Sequence, residues 1–437
     1  MADICIETYG CSNNIAESQI MGNILTKKGH RLSSFQDSDV VIVNTCSVKS
    51  VTENRIIHRI KSIQIEHPEK KLIIAGCMPE SEYDILKEIA PSACLMSTHH
   101  LDEVTFMVES ALADEYVEVL GKAKLDKASM KKQRANPLID IIPISSGCRS
   151  FCAFCATKIA KGDLFSYPES NIISAVKNSV SEGTREFWIT SQDNGCYGFD
   201  RGTDIAMLLK NITERVEGDY MLRNGMMNPE HVKKILPQLI EAYKNGRVFK
   251  FLHLPVQSGS DAVLKNMRRK YSVRDFIDII EAFRFEMPSI TVWTDIIVGF
   301  PEETDRDFEE SLQLVKELQF DFVNVSAYGN RPNTPASRMK QIPTDIKKER
   351  TRAMSELVEK TCKKANEKWK GWSGPVLIDE YNFDKKNWIG RNYAYKPVVL
   401  SEEKFALGQE VCVTIKDATS KCLFGEEIKN IKPHIKD

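Results

Sequence analysis

The stretch Gly147-Cys148-Arg149-Ser150-Phe151-Cys152-Ala153-Phe154-Cys155 carries the strongest pattern in this chain. It follows an apolar run at 141–144 that is typical of a buried strand. Its cysteines, spaced C-x3-C-x2-C, offer three thiolates to one metal centre. Structural zinc normally takes four ligands from paired C-x2-C units, whereas three thiolates suit a cubane iron–sulfur cluster with one open iron. We therefore predict a cluster loop at the end of a strand, with zinc as the alternative.

Alternating strands and helices continue from this loop towards the C-terminus. The predicted strands are six short runs, at 141–144, 186–190, 220–223, 251–255, 292–298 and 323–327. Amphipathic helices lie between them, and the apolar face of one consists of Ile205, Leu208, Leu209, Ile212 and Val216. Six β/α units predict an incomplete, TIM-like (β/α)6 barrel whose chemistry lies at the carboxyl ends of the strands.

The first third of the chain repeats the strand-then-helix pattern and adds three more cysteines. Apolar strands are predicted at 4–9, 39–43 and 71–75, and each is followed shortly by one cysteine, namely Cys11, Cys46 and Cys77. Such strands form a parallel sheet with both faces covered, and their carboxyl ends share one edge. We expect the three thiols to converge there; the alternative is that they are buried packing residues. The other cysteines show no partner pattern and are predicted to be packing residues: Cys5, Cys94, Cys196, Cys362, Cys412 and Cys422.

Length and composition are those of a globular protein of about three domains, at roughly 150 residues per domain. The chain has 437 residues, 42 % hydrophobic and 28 % charged, with 60 basic against 61 acidic side chains. No apolar run approaches the roughly 20 residues that span a membrane, and no basic leader precedes an apolar segment. Twelve cysteines, partly clustered, favour metal binding over disulfides. These features predict a cytoplasmic protein without membrane contact.

Shifts in composition divide the chain into an α/β domain at 1–120, a basic linker at 121–137, the barrel domain at 138–370 and a small all-β module at 371–437. The linker lacks an apolar period, which predicts a solvated connector or a contact with nucleic acid. Residues 338–370 predict a basic helix. The final module shows short alternating strands separated by turn residues.

The β module interleaves aromatic rings with cations in its first half. The rings are Tyr381, Phe383, Trp388, Tyr393 and Tyr395, and the cations are Lys385, Lys386, Arg391 and Lys396. Rings can stack on unpaired bases while cations contact phosphates, so this pattern favours recognition of an RNA loop. The alternative is that the rings fill a small core.

The C-x3-C-x2-C loop after the first barrel strand resembles that of the radical S-adenosylmethionine enzymes. Within that superfamily, Cys11, Cys46 and Cys77 match the second cluster of the methylthiotransferase family, whose domain order covers essentially the whole chain. Further stretches are similar to that family: Asn44-Thr45-Cys46, Gly225-Met226-Met227-Asn228-Pro229-Glu230, His253-Leu254-Pro255-Val256-Gln257-Ser258-Gly259-Ser260 and Asp295-Ile296-Ile297-Val298-Gly299-Phe300-Pro301-Glu302-Glu303-Thr304.

This resemblance implies two [4Fe-4S] clusters and S-adenosylmethionine as cofactors. Cys148, Cys152 and Cys155 would hold the cluster that cleaves S-adenosylmethionine to a 5′-deoxyadenosyl radical, and Cys11, Cys46 and Cys77 the cluster that carries the transferred sulfur. The implied cofactor-binding residues are Phe154, Gln192, Asp193, Arg223, Gln257, Asp295 and Gly299. Gln192, Asp193 and Gln257 follow strands, where polar groups suit a ribose or an amino-acid head, and Gly299 permits close approach of adenine.

The segment Cys155-Ala156-Thr157-Lys158-Ile159-Ala160-Lys161-Gly162-Asp163-Leu164-Phe165-Ser166-Tyr167-Pro168 is similar to the archaeal and eukaryotic branch that acts on N6-threonylcarbamoyladenosine next to the tRNA anticodon. Two departures are Asn224 where an aliphatic residue is more frequent, and Lys161 where arginine is usual. The resemblance implies a TRAM-like RNA-binding module, an anticodon stem-loop as partner, a reductant protein and a sulfur source. Alternatives are methylthiolation of isopentenyladenosine or of a ribosomal-protein aspartate, and a non-enzymatic iron–sulfur RNA-binding protein.

Overall fold

The computed structural model describes residues 1–401 and 405–428. Within these ranges no helix combines the length and the apolar character that crossing a bilayer requires. The predicted fold class is confirmed: a parallel α/β sheet, an incomplete barrel and a closed β module follow one another along the chain. The boundaries at 120, 137 and 370 stay predictions.

The N-terminal sheet is wholly parallel and covered on both faces. Its strands are β1 (Asp3–Thr8), β2 (Arg31–Leu32), β3 (Val40–Thr45), β4 (Lys71–Gly76), β5 (Cys94–Ser97) and β6 (Glu118–Val119), in the order β2-β1-β3-β4-β5-β6. The helices are α1 (Ser12–Lys27), α2 (Ser50–Glu66), α3 (Met78–Ser81), α4 (Tyr83–Ile89) and α5 (Val104–Leu112). Val40 and Ile42 belong to one apolar cluster, while Val41 and Val43 belong to another. The unbroken apolar run of β3 therefore reflects a strand buried on both sides.

The barrel consists of two three-stranded parallel sheets. They are built from β7 (Ile139–Pro143), β10 (Glu186–Thr190), β11 (Met221–Asn224), β12 (Phe251–His253), β13 (Thr291–Val298) and β14 (Phe322–Ala327), in the orders β11-β10-β7 and β12-β13-β14. A parallel bridge between Leu222 and Val248 joins the two sheets. A small hairpin, β8 (Ser145–Ser146) with β9 (Phe165–Ser166), brackets the cysteine loop.

Helices of this domain pack around the barrel core. They are α6 (Ala156–Lys161), α7 (Glu169–Ser181), α8 (Ile205–Arg215), α9 (Pro229–Lys244), α10 (Asp261–Asn266), α11 (Val273–Glu286), α12 (Asp305–Leu318) and α13 (Thr344–Glu367). The predicted helix at 338–370 was too long, because α13 begins only after Pro343, and the residue before a proline is biased away from helical geometry. Short 3₁₀ helices occur at Leu101–Glu103, Lys127–Ser129, Asn194–Cys196 and Pro335–Arg338.

The C-terminal module is a closed five-stranded barrel that packs on the amino-terminal edge of the larger barrel. Its strands are β15 (Ser373–Asn382), β16 (Asn387–Arg391), β17 (Pro397–Leu400), β18 (Glu410–Ala418) and β19 (Leu423–Glu427). Lys396 pairs with Asp321 at 2.5 Å, and Lys250 N–H donates to Tyr393 O at 2.9 Å. Asp321 and Lys250 directly precede β14 and β12, so these contacts lie opposite the carboxyl edge.

The expectation of a solvated linker is wrong for three of its basic side chains. Lys127, only 2 % exposed, pairs with Glu17. Lys132 pairs with Asp140 at 2.5 Å, and Arg134 with Glu182 at 2.8 Å. Because they are buried or paired with carboxylates of the same chain, these side chains are not available to an RNA backbone.

Candidate active site

The first cysteine triplet lies in a loop that is held by backbone contacts from several elements. Gln192 Oε1 accepts from Gly147 N–H at 2.7 Å, and Met267 O accepts from Ala153 N–H at 2.9 Å. All three thiols are partly exposed. Burial, with the nearby Cys152 and Cys148, raises the pKa of Cys155 to about 12. Cys155 therefore lies near the other two thiols of the loop, and a cation bound there would favour its thiolate.

Cys148 has a neighbour that the sequence pattern did not identify. Its Sγ, the Sγ of Cys196 and a carboxylate oxygen of Asp193 all lie within 4.8 Å of one another. A hydrogen bond from the Cys196 thiol lowers the pKa of Cys148. The prediction that Cys196 only fills space was incomplete: the residue is fully buried, and it contacts a predicted cluster ligand. Its position just after β10 was the signal that could have identified it.

Another unpredicted contact orients the middle thiol of this triplet. Arg269 Nη1 donates to Cys152 Sγ at 3.3 Å, and its Nη2 donates to Pro255 O at 3.0 Å. These two hydrogen bonds fix the Cys152 thiol relative to the loop that contains Pro255. Arg269 follows a short helix, and no local sequence pattern distinguished it.

The second triplet lies at the carboxyl edge of the N-terminal sheet, and its sharing of one metal centre stays a prediction. Cys11, Cys46 and Cys77 follow β1, β3 and β4, which are neighbouring strands. Cys46 and Cys77 are 2 % and 3 % exposed, whereas Cys11 is exposed. Burial, together with Cys77 and Cys11, raises the pKa of Cys46 to about 12. The Cys46 thiol therefore needs a bound cation to be a thiolate.

Both triplets lie where the carboxyl edges of the sheet and the barrel meet. Ser12, next to Cys11, shares a hydrogen bond of 2.7 Å with Thr190 at the end of β10. Lys49, three residues after Cys46, donates to Asn324 Oδ1 of β14 at 2.8 Å. The two predicted cluster sites therefore share one boundary between domains, where such sites commonly form.

Three of the residues predicted to bind cofactor lie around the first triplet. Gln192 holds the loop through Gly147, as described. Asp193, 2 % exposed, lies 2.8 Å from His231 Nδ1 and accepts from Asn228 N–H at 3.0 Å. Phe154 packs edge-on against Phe300, with ring centroids 6.4 Å apart. Gln192 and Asp193 thus have structural partners of their own, and their role towards a cofactor stays a prediction.

Gln257 and Asp295 form a second polar group at the barrel edge. Gln257 N–H donates to Asp295 O at 2.8 Å. The Asp295 carboxylate lies 2.6 Å from His253 Nε2 and accepts from Asn324 Nδ2 at 2.5 Å. Although burial opposes it, His253 and Asn324 lower the pKa of Asp295. This carboxylate remains ionised at neutral pH, facing the boundary.

Gly299 and Arg223 lie in surroundings that their predicted roles did not anticipate. A Cβ on Gly299 would lie 2.3 Å from Lys347 Cγ, so a side chain of α13 already approaches this backbone. The Arg223 guanidinium lies over Trp188, Phe251 and Tyr395, with centroid distances of 5.5, 4.8 and 5.1 Å. Since Tyr395 belongs to the β module at the opposite edge, cofactor contact by Arg223 stays the weakest of these predictions.

Three family descriptions match successive parts of the chain: an uncharacterized protein family, UPF0004, at 3–97, the radical SAM superfamily at 142–315 and the TRAM domain at 373–428. A probable threonylcarbamoyladenosine tRNA methylthiotransferase of Pyrococcus horikoshii is 39 % identical over 432 residues, covering 98 % of this chain and 100 % of that protein. The chain belongs to this methylthiotransferase family.

A eukaryotic methylthiotransferase matches over the same share of this chain. The threonylcarbamoyladenosine tRNA methylthiotransferase of Homo sapiens is 35 % identical over 439 residues, covering 98 % of this chain and 74 % of the human protein. Among solved structures, the radical S-adenosylmethionine methyltransferase TsrM of Kitasatospora setae has a TM-score of 0.57 at 10 % identity, covering 77 % of this chain and 74 % of that one. At that identity the likeness concerns the fold alone.

The donor sets fit the cofactors of a radical SAM methylthiotransferase. Each site offers three thiols, which are soft ligands suited to iron–sulfur clusters. Burial and neighbouring thiols raise the pKa of Cys46 and that of Cys155, and coordination to iron would stabilise both as thiolates. The enzyme accordingly uses S-adenosylmethionine and iron–sulfur clusters, with Cys11, Cys46, Cys77, Cys148, Cys152 and Cys155 as the proposed ligands.

Gly10→Ala is expected to impair the second cluster site of this methylthiotransferase. Gly10 has φ +110°, and a Cβ there would lie 2.4 Å from Cys46 Cβ and 2.6 Å from its Sγ. The substitution costs about 1–3 kcal/mol in backbone strain and also displaces a ligand. We expect reconstituted iron to fall from about eight to about four per chain, as measured by iron analysis, because a four-iron cluster needs all its thiolates.

Gly29→Ala is the matched control for this prediction. Gly29 has φ +89°, but nothing lies within 4 Å of a Cβ there. Both variants carry backbone strain, whereas only Gly10→Ala collides with a thiol. Equal iron content in the two variants would contradict the assignment of Cys46 as a ligand.

Proposed function

We propose that this enzyme replaces the C2 hydrogen of N6-threonylcarbamoyladenosine, next to the tRNA anticodon, by a methylthio group. The observation that carries the proposal is the pair of separate thiol triplets at one boundary between domains. One site would start a radical and the other would supply sulfur, so both must reach the same substrate atom. The names of the archaeal and human relatives support the choice of nucleoside.

The chemistry explains why radical cofactors are needed. The C2–H bond is unactivated and offers neither a useful acid nor a leaving group, so acid–base side chains alone would not suffice. Bound S-adenosylmethionine and the two clusters would supply the radical, the sulfur and the methyl group. Cys148, Cys152 and Cys155 would hold the radical-forming cluster, leaving one iron open, while Arg269 orients the middle ligand.

Polar groups at the barrel edge support a substrate-binding role for this part of the site. Asp295 with His253, and Asn324 with Lys49, form a hydrogen-bonded row that reaches from the barrel to the loop after Cys46. Such fixed polar groups suit the orientation of a nucleoside or an amino-acid head. Their role is to position a substrate between the two triplets.

RNA binding is assigned to the exposed part of the β module. Phe383 is 81 % and Tyr393 40 % exposed, and Lys385 and Lys386 of the same module are also exposed. By contrast, Tyr395 packs on Phe249 and Phe251. We therefore narrow the predicted base-stacking and phosphate-binding set to the exposed residues. The anticodon stem-loop, a reductant protein, a sulfur source and a cytoplasmic location complete the proposal.

Nucleoside analysis of tRNA tests this function directly. Deleting the gene should remove 2-methylthio-N6-threonylcarbamoyladenosine and cause its unmethylthiolated precursor to accumulate, as measured by mass spectrometry. Complementation with the intact gene is the control. Unchanged levels of this nucleoside, with loss of methylthio-isopentenyladenosine or of a methylthiolated ribosomal-protein aspartate, would overturn the choice of substrate.

A further inference from the structure

A buried group of charges outside both triplets joins three parts of the chain. It consists of Glu17 on α1, Lys127 in the linker and Lys161 at the end of α6. The two ammonium groups lie 2.5 and 2.6 Å from the same oxygen, Glu17 Oε1. Exposure is 0 % for Glu17, 2 % for Lys127 and 3 % for Lys161. Thr98 Oγ donates to that oxygen at 2.7 Å and accepts from both lysines.

The charges in this group do not balance. Although burial opposes it, the two lysines lower the pKa of Glu17 to about 2, so its carboxylate is ionised. Burial lowers the pKa of Lys127 only to about 8, and contacts with Glu17 and Cys77 raise that of Lys161 despite its burial. Two cations and one anion leave one excess positive charge in a dry environment. Such a charge is costly unless a further anion lies nearby.

The second triplet would supply that anion once its thiols bind a cluster. Helix α3 begins directly after Cys77, and α6 begins directly after Cys155. These two helices pack against each other. Lys161 also donates to Thr98, whose N–H donates at 3.2 Å to Gly76 O, directly before Cys77. Burial raises the pKa of Cys77. Among the charged groups that act on this thiol, Lys161 has the largest effect and opposes the rise, Lys127 opposes it more weakly, and Glu17 adds to it.

We propose that Lys161 is a positioning residue whose buried ammonium offsets the negative charge of the second cluster and so raises its reduction potential. The inference rests on the proposed function, because it requires a cluster at Cys11, Cys46 and Cys77. Three thiolates make such a cluster anionic, and one electron from the reductant makes it more so. A fixed cation stabilises the reduced form more than the oxidised form, which raises the potential.

The experiment measures that potential in the full-length chain. Cys148, Cys152 and Cys155 are replaced together by alanine, so that only the second cluster is assembled, and its reduction is followed by EPR in a mediated titration. Lys161→Met is expected to shift the midpoint to lower potential. Glu17→Gln removes an anion that faces the same thiols and is expected to shift it to higher potential at a pH low enough to keep both lysines protonated. Lys161→Arg, which keeps the charge, should leave it unchanged.

Lys127→Met is the matched control, since it removes an equal charge from the same carboxylate at a weaker interaction with Cys77. Its shift should have the same sign as that of Lys161→Met and be smaller. If Lys161 only supported the fold, Lys161→Met and Glu17→Gln would have no reason to shift the midpoint potential in opposite directions. Where Lys161→Met does not fold, Glu17→Gln and Lys127→Met provide the same comparison.

Failure of the proposed function and failure of the role assigned to Lys161 give different results in this experiment. If the triple-cysteine variant binds no cluster, the proposed function and this inference both fall. If it binds about four irons and gives the cluster's EPR signal, but its potential is indifferent to Lys161→Met and Glu17→Gln, only the role of Lys161 is overturned. Shifts of the same sign in those two variants would overturn it as well.

Discussion

Replacing Cys46 by alanine is expected to reduce methylthiolated tRNA by more than about 100-fold while cleavage of S-adenosylmethionine continues. Cys46 lies buried among the second triplet, and the first triplet belongs to a different domain. Losing one of three ligands removes the proposed sulfur-carrying cluster without touching the other site. The measurements are 5′-deoxyadenosine and the methylthio nucleoside, both quantified by mass spectrometry under reducing, anaerobic conditions.

Cys5→Ala serves as the control for that variant. Cys5 is a buried cysteine of β1 in the same sheet, and it packs in an apolar cluster rather than at the carboxyl edge. Cys5→Ala should lower the stability of the fold only as much as a small core truncation does. Product formation should therefore stay close to that of the unsubstituted enzyme. Full product from Cys46→Ala, or equal losses in both variants, would contradict the division of roles between the triplets.

Cys155→Ala is expected to abolish formation of 5′-deoxyadenosine, and with it all methylthiolation. Cys155 is the third thiol of the loop, and its pKa is raised by burial and by Cys152 and Cys148. Without it the first cluster loses a ligand, so activity should fall by more than about 100-fold. The same products are quantified, together with the iron content, which should fall by about half if each site holds one cluster.

Cys196→Ala is the control for Cys155→Ala. Cys196 Sγ lies within 4.8 Å of Cys148 Sγ, but Cys196 is outside the predicted ligand set. It should retain both clusters and most of its 5′-deoxyadenosine formation. If Cys196→Ala lost a cluster and Cys155→Ala did not, the ligand set would be wrong.

The sequence predicted the positions of the thiols well because they depend on local pattern. Apolar runs mark buried strands, and in a parallel sheet the ends of the strands meet at one edge. This reasoning placed Cys11, Cys46 and Cys77 at one edge of the sheet without any long-range information. Strand β10 was predicted with its observed bounds, whereas β2 and β6, each of two residues, are too short to produce a period.

Contacts between distant segments could not be predicted in the same way. Lys127 and Glu17 are 110 residues apart, and nothing in a basic, aperiodic linker indicates that one of its lysines is buried. Tyr395 and Lys396 looked like RNA-binding residues, but they pack on the larger barrel through Phe251 and Asp321. The chemistry of a residue type is visible in the sequence, while its partner depends on how domains dock.

The docking of the β module on the amino-terminal edge has a consequence for the size of the substrate. The thiols lie past the opposite ends of the strands, and a strand such as β14, Phe322–Ala327, spans about 20 Å. A free nucleoside is too small to touch both ends at once. A molecule that binds to the module and reacts at the thiols must extend along the side of the barrel. Binding to the module therefore favours long polymers before the reaction begins.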